Sequence, residues 1–421
     1  IGAISPWDIS LSRGGFEAHL ALFLSLLGIY FFLKAQQRPK FYFLSALSFG
    51  LVFHTYPTYK VSLLLFLPLL LWFQGIKVTI NTGKKYLLGG VIVLLVLGVL
   101  SLSQTFLGGS ETRFSSINIF SQSQLKESVI QKVNLERQLT EIPSSISEYF
   151  HNKPVEYMKV FIENYLQNFS MDFLILHGDR NPRHNMATMG EIYLADLVLI
   201  LIGLLNFRTK SRKIILFLLF WIIIAPIPAA IIDLPHALRS SFILPTLILL
   251  SALGLATVLK SGNKILLVLI LLLFIIQFIF FTQKLYFLAP KEYSNFWSYS
   301  AKLASEIAME KKDEYRYVYI SDRIDNIEFA YPVYARIEQS LIISQNEKKA
   351  SFKGNYIKEY ENVYIGFLPD NQVESFINSL DGSVLYISSA DAGKFLSKPE
   401  FINGLDGQQA LVLEKKGPGH D

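Results

Sequence analysis

Asp179, Arg180, Arg183, His184 and Glu191 fall within one short stretch, HGDRNPRHNMATMGE at 177–191, directly ahead of a long apolar run. Guanidinium forks bind phosphate oxygens in pairs, and an imidazole beside them adds a group that can donate or accept a proton near neutral pH. The stretch therefore suits a cradle for a phosphate. It equally suits a set of mutually paired charges that anchors the next helix at the headgroup layer.

Similar residue types recur at three other places. Asp8, Arg13, Glu17 and His19 surround the start of the first apolar run, and a helix beginning early would set Arg13 and Glu17, four apart, on one face as an ion pair. The sequence HTYPTYK brings His54, Tyr56, Tyr59 and Lys60 to the end of the second run, where the tyrosines read as interface anchors, as does Trp7 near the start. In PIPAAIIDLPHALRSS, Pro226 and Pro228 break a helix, and His236 and Arg239 follow at the start of the next. A helix N-terminus with Arg and His beside it is a ready anion site.

The elements that must position these groups are mostly apolar. Of 421 residues, 51% are hydrophobic and 14% aromatic, with a mean hydropathy of +0.36, too apolar for the surface of a soluble chain. The net charge of +5 sits in short clusters between apolar runs, which argues against a nucleic-acid partner and for a bilayer. With no cysteine, neither a disulfide framework nor a thiolate metal site is available. Apolar runs at 16–33, 41–53, 61–73, 86–106, 192–207, 214–232, 242–259 and 265–281 predict an α-helical polytopic membrane protein of about eight spans. A long polar loop at 107–189 interrupts them, with amphipathic helices expected over 124–139 and 155–169.

Sidedness follows from the connections. Lys34, Arg38 and Lys40; Lys77, Lys84 and Lys85; Arg208, Lys210, Arg212 and Lys213; and Lys260 and Lys264 occupy alternate connections without an acidic residue, so these face the cytoplasm. The long loop, the DLPHALR turn and the region after the last span then face outward. A transmembrane domain over 1–283 precedes an extracytoplasmic α/β domain over 284–421, with strands expected at 315–321, 362–367, 383–389 and 409–415 and helices at 294–309, 327–337 and 371–380.

The runs SPWDISLSRGGFEAHLALFLSLLGIYFF, LSFGLVFHTYPTYK, GDRNPRHN with Gly190 to Tyr193 downstream, and PIPAAIIDLPHALRSSFILP occur in this order. Together they resemble the GT-C superfamily of membrane glycosyltransferases, in the bacterial branch related to protein O-mannosyltransferases and aminoarabinose transferases. The resemblance covers about residues 1–290. It implies transfer of a sugar, with inversion, from a polyprenyl-phosphate carrier to a glycan, lipid or protein acceptor on the outer face. A carboxylate would deprotonate the acceptor, and basic residues, in some members with a divalent metal, would stabilise the leaving phosphate. The family's first helix and its carboxylate-bearing loop would precede Ile1, so the catalytic base is unassigned, with Asp8, Glu17 and Asp179 as the acidic candidates on that side. Carrier-phosphate contacts are expected from Arg13, Lys60, Arg180, Arg183, His184, His236 and Arg239, and no metal ligand is assigned. The competing classes are a flippase or transporter for a lipid-linked sugar, and a polysaccharide polymerase or ligase. Transporters favour charges at the bilayer midplane and repeated halves, and neither feature is evident here.

Overall fold

Long unbroken runs of Leu, Ile and Phe leave no polar side chain to compete with the backbone, so each run closes its hydrogen bonds on itself as a helix. The computed structural model describes residues 1–107, 118–205, 212–347 and 350–417, which divide into a helical unit, Ile1–Thr282, and a sheet unit, Gln283–Asp421.

In the helical unit, α1 (Pro6–Gly14), α2 (Glu17–Lys34), α3 (Phe41–Thr55), α4 (Pro57–Gln74) and α5 (Ile76–Leu107) follow one another closely. The last is two helices joined at Gly83, whose backbone is not helical. Amphipathic α6 (Ser123–Leu139), α7 (Ser144–Phe150) and α8 (Lys153–Gln167) come next. Then follow α9 (Leu194–Leu205), α10 (Arg212–Ile224), α11 (Ile227–Ala230), α12 (Ala237–Ser240), α13 (Leu244–Ser261) and α14 (Lys264–Gln283). Among the described residues, six segments are long and apolar enough to cross a membrane: Glu17–Lys34, Pro57–Gln74, Gly83–Phe106, Arg212–Ala230, Ala237–Ser261 and Lys264–Glu292. Two of the eight expected spans, Phe41–Thr55 and Leu194–Leu205, are shorter apolar helices. The basic connection at 206–211 lies outside the described residues.

The outward faces match a membrane-embedded chain. Leu88, Ile92, Leu95 and Val99 are exposed along one stripe of α5, as are Ile265, Leu269, Leu272 and Ile276 on α14. Inside, Phe66 of α4, Trp221 of α10 and Phe242 just before α13 form a buried aromatic cluster with ring centroids 4.5–5.3 Å apart. Backbones touch where α9 meets α13, because a Cβ on Gly254 would lie 1.9 Å from the Leu199 carbonyl oxygen.

After α15 (Ala289–Glu292), the sheet unit contains α16 (Tyr299–Lys311), β1 (Tyr317–Ser321), α17 (Ile327–Tyr334), α18 (Gln339–Glu347), β2 (Ser351–Phe352), β3 (Asn355–Tyr360), β4 (Val363–Gly366), α19 (Val373–Asn378), β5 (Val384–Ser389), β6 (Glu400–Asn403) and β7 (Gln409–Lys416). The strand order is β2-β3-β4-β1-β5-β7-β6. Central β1 runs parallel to β4, with Val318 opposite Val363, and parallel to β5, with Val318 opposite Leu385; the outer pairs are antiparallel. Val318 and Ile320 face a core with Ala301 and Ala304 of α16 and Ile327 and Tyr331 of α17. Tyr319 and Tyr386 face the other side, against Val373, Phe376 and Ile377 of α19. Alternation along each strand thus feeds two cores.

Candidate functional site

The stretch singled out in the sequence is a built loop. A π-turn over Asp172–Leu176 ends α8's extension, and Gly178 then turns in the left-handed region at φ 72°. Asn185 holds the loop closed: its Nδ2 donates to the carbonyls of His177 at 2.6 Å and Met189 at 2.8 Å. The loop's far end pairs back, Ile192 N–H to Leu174 O at 2.9 Å, and Trp7 N–H donates to Glu191 O at 3.2 Å. Trp7 also donates through Nε1 to Ala237 O at 3.0 Å and is fully buried. It is therefore no interface anchor; it joins α1, the loop and α12. Tyr59 likewise is buried, its hydroxyl on Ser241 at 2.7 Å.

Asp179 is the hub. Its Oδ1 accepts the Asn181 N–H at 2.8 Å. Its Oδ2 accepts the Ala237 N–H at 2.7 Å and meets His184 Nδ1 at 3.1 Å and His236 Nδ1 at 3.7 Å. Burial alone would raise this carboxyl, but the hydrogen bonds from His184 and the two backbone amides outweigh it and hold the group below its usual range. Because a carboxylate only accepts, His184 Nδ1 is the donor in this pair. The His236 ring lies 4.3 Å from that of His184, centroid to centroid, and its Nδ1 accepts the Leu238 N–H at 3.2 Å. Burial pushes this imidazole down to about 4, so it is neutral at pH 7 with its proton on Nε2. Behind them Glu191 accepts the Asp179 N–H at 2.9 Å. Burial, reinforced by the Asp179 charge, lifts the Glu191 carboxyl well above its usual range.

The remaining candidates divide. Arg239, in the same short α12 that His236 caps, lies near enough to Tyr56 that both its charge and that of Glu17 reach the phenol. Phe16 sets its edge against His184 at 5.4 Å, so the start of α2 borders the cluster. Arg183 is half-buried and Arg180 exposed on the loop. By contrast, Asp8 pairs with His19 at 3.0 Å, and Lys60 reaches Thr105 of α5 at 3.1 Å. Arg13 and Glu17 do not share a helical face. Gly15, left-handed at φ 63°, ends α1 between them, leaving Arg13 in a last turn and Glu17 in a first. The expected anion site at a helix start is also corrected: the first N–H groups of α12 are taken by Asp179 and by the His236 ring itself.

Asp179, His184 and His236 form a possible metal-binding set, their ligand atoms all within 4.8 Å of one another. Two ligands bound at about 2.1 Å in a tetrahedron sit roughly 3.4 Å apart, and the 3.1 and 3.7 Å separations bracket that value. The donors fit a divalent cation such as zinc in kind and spacing, although a cation on His236 Nδ1 displaces the Leu238 N–H. Positions 179, 184 and 236 carry no ligand spacing that a sequence would reveal. Asp196, also not singled out, accepts Ser251 Oγ of α13 at 2.7 Å while buried in α9, and a carboxylate within the 192–207 run was its visible signal.

No family model, curated protein or solved structure matches this chain.

Proposed function

We propose that the chain is a membrane-embedded glycosyltransferase that moves a sugar from a polyprenyl-phosphate-linked donor to an acceptor on the extracytoplasmic face. One observation carries the reading: a buried carboxylate orients an imidazole through Nδ1, with a second imidazole and Arg239 in the same corner. That arrangement provides what glycosyl transfer from a phosphate needs, a base for the acceptor hydroxyl and cationic or N–H groups for the departing charge. In this scheme His184 Nε2 takes the hydroxyl proton, and the freed oxygen bonds to the anomeric carbon as its bond to the carrier phosphate breaks. Arg239, Arg183 and the His236 Nε2–H receive the phosphate. A divalent cation held by Asp179, His184 and His236 would replace the His184 Nδ1 proton and supply charge against the leaving group, and His184 would then serve as its ligand in place of acting as base.

Sidedness supports the same reading. The cluster adjoins the starts of α2, α4 and α12, whereas Lys34, Lys77 and Lys84 lie toward the opposite ends of the same helices or of α5. By the positive-inside rule the cluster then faces outward. The test is release of polyprenyl phosphate from a panel of polyprenyl-phosphate hexoses and pentoses by the full chain in nanodiscs. Release by the native chain, absent from His184→Ala and from Arg239→Ala, is the expected result. No release from any donor by the native chain sinks the proposal.

A further inference from the structure

We infer that the sheet unit carries a second binding site, a cleft at the carboxyl ends of β1 and β5 that takes a neutral, hydroxyl-rich ligand of the size of one sugar residue. The topology makes the crevice. After β1 the chain leaves through α17 toward the edge that holds β4, whereas after β5 it leaves through residues 390–395 toward β6 at the opposite edge. Connections that diverge from neighbouring parallel strands leave a gap just beyond their carboxyl ends, which is where open α/β sheets hold ligands.

A cleft of about 290 Å³ lies at this point, lined by Arg323 and Asp325 after β1, Ser389 and Asp391 after β5, and Asn295 and Ser298 ahead of α16. That volume is near the lower bound for small-molecule sites, roughly 300 Å³, and excludes a dinucleotide. The lining side chains are already fixed in place. Asn326 donates from Nδ2 to Ser298 Oγ at 2.7 Å and to Asp325 Oδ2 at 3.1 Å, and Ser389 hydrogen bonds Asp391. Ser298 and Asn326 both stand in the left-handed region, at φ 59° and 63°, each just before a helix that its own side chain does not cap.

Charge selects the ligand. Two carboxylates against one guanidinium repel phosphate and other anions, while carboxylates, hydroxyls and amides together match the mixed donors and acceptors of sugar hydroxyls. None of the residues lining it belongs to the Asp179 cluster, and the inference does not depend on the transfer reaction assigned to that cluster.

Saturation-transfer NMR on the full chain in nanodiscs tests the inference, with methyl mannoside, methyl galactoside and N-acetylglucosamine as probes. Transfer to at least one probe is expected, falling about tenfold in Asp325→Asn/Asp391→Asn, as loss of charged hydrogen bonds requires, and in Ser300→Trp, which fills the cleft. The isosteric double variant keeps the test valid where the tryptophan disturbs folding. Asp179→Asn and added inorganic phosphate should leave the signal unchanged. Absence of transfer to all three probes overturns the inference. So does a signal that survives both cleft variants, that phosphate abolishes, or that Asp179→Asn removes.

Discussion

At the residue scale the cluster assigns different duties to two buried carboxyls twelve residues apart. Asp179 is held below the usual carboxylate range by the donors around it, and Glu191 is lifted well above that range by burial and by the Asp179 charge. Asp179→Asn should therefore present the wrong partner to His184 Nδ1 and lower transfer by roughly 10³-fold to 10⁴-fold without loss of membrane insertion. Glu191→Gln keeps an acceptor for the Asp179 N–H and should change turnover by less than about threefold, since the amide matches the carboxyl in shape and burial already disfavours a charge there. Turnover assays on the two variants check the contrast, and equal losses would contradict it. The His236 ring also gives the fold an acid limit. Its folded value of about 4 lies below the ordinary 6.5, so the unfolded chain binds the extra proton between these values. Stability is complete above about pH 6.5 and falls as pH drops toward 4, by on the order of 2 kcal/mol, with the depressed Asp179 adding a further loss below that window. Melting curves from about pH 8 to about pH 4.5 should show the fall in the native chain and a flatter profile in His236→Gln. Much of this site was legible in the sequence as residue types: Asp179, His184, His236 and Arg239 were all candidates. Their pairing was not, because 179 and 236 are far apart in the chain and meet only once α12 packs on the loop, and the partners Trp7 and Asn185 look like an ordinary interface tryptophan and a loop amide.

At the element scale, the apolar runs gave helices because lipid-facing sequence has no other way to close its backbone bonds, and the buried strands at 317–321, 363–366, 384–389 and 409–416 were equally plain. The strands β2, β3 and β6 escaped because NYIKEY and EFIN are polar and half-exposed, with no apolar alternation to mark them. Helix ends were the other failure. Two of the expected spans, Phe41–Thr55 and Leu194–Leu205, are shorter than 18 residues among the described ones, and the break at Gly15 parts Arg13 from Glu17. Glycine explains where the functional loop is rigid. At Gly178 a Cβ would lie 2.3 Å from Asn185 Nδ2 and 2.4 Å from Met189 O, in addition to the φ of 72°. Gly178→Ala should thus cost more than about 3 kcal/mol locally and abolish transfer, because the Asn185 clasp cannot close. Gly15 has a similar φ but open space around it, so Gly15→Ala should cost only about 1 kcal/mol and leave most activity. Thermal melts alongside turnover separate the two, and a benign Gly178→Ala would show that the clasp does not shape the site.

For the whole molecule the decisive question is which side of the bilayer the cluster faces, since a polyprenyl-phosphate donor and a cytosolic donor call for opposite answers. Among the described residues six apolar helices are long enough to cross a membrane and two are shorter; crossing by all eight in turn would set Arg180, beside the cluster, at one surface and Gln37, after α2, at the other. Both side chains are exposed, and the chain has no cysteine, so single substitutions report without background. Arg180→Cys should react in intact cells with a membrane-impermeant maleimide, and Gln37→Cys only after the membrane is opened. A span miscounted anywhere between residues 37 and 180 would put both labels on the same side, because one crossing more or fewer reverses everything after it. The reverse pattern, Gln37→Cys labelled from outside and Arg180→Cys protected, would place His184 and Arg239 in the cytosol. The basic connections would then contradict the positive-inside rule, and a donor presented on the outer leaflet could not reach the imidazole proposed to act on its acceptor.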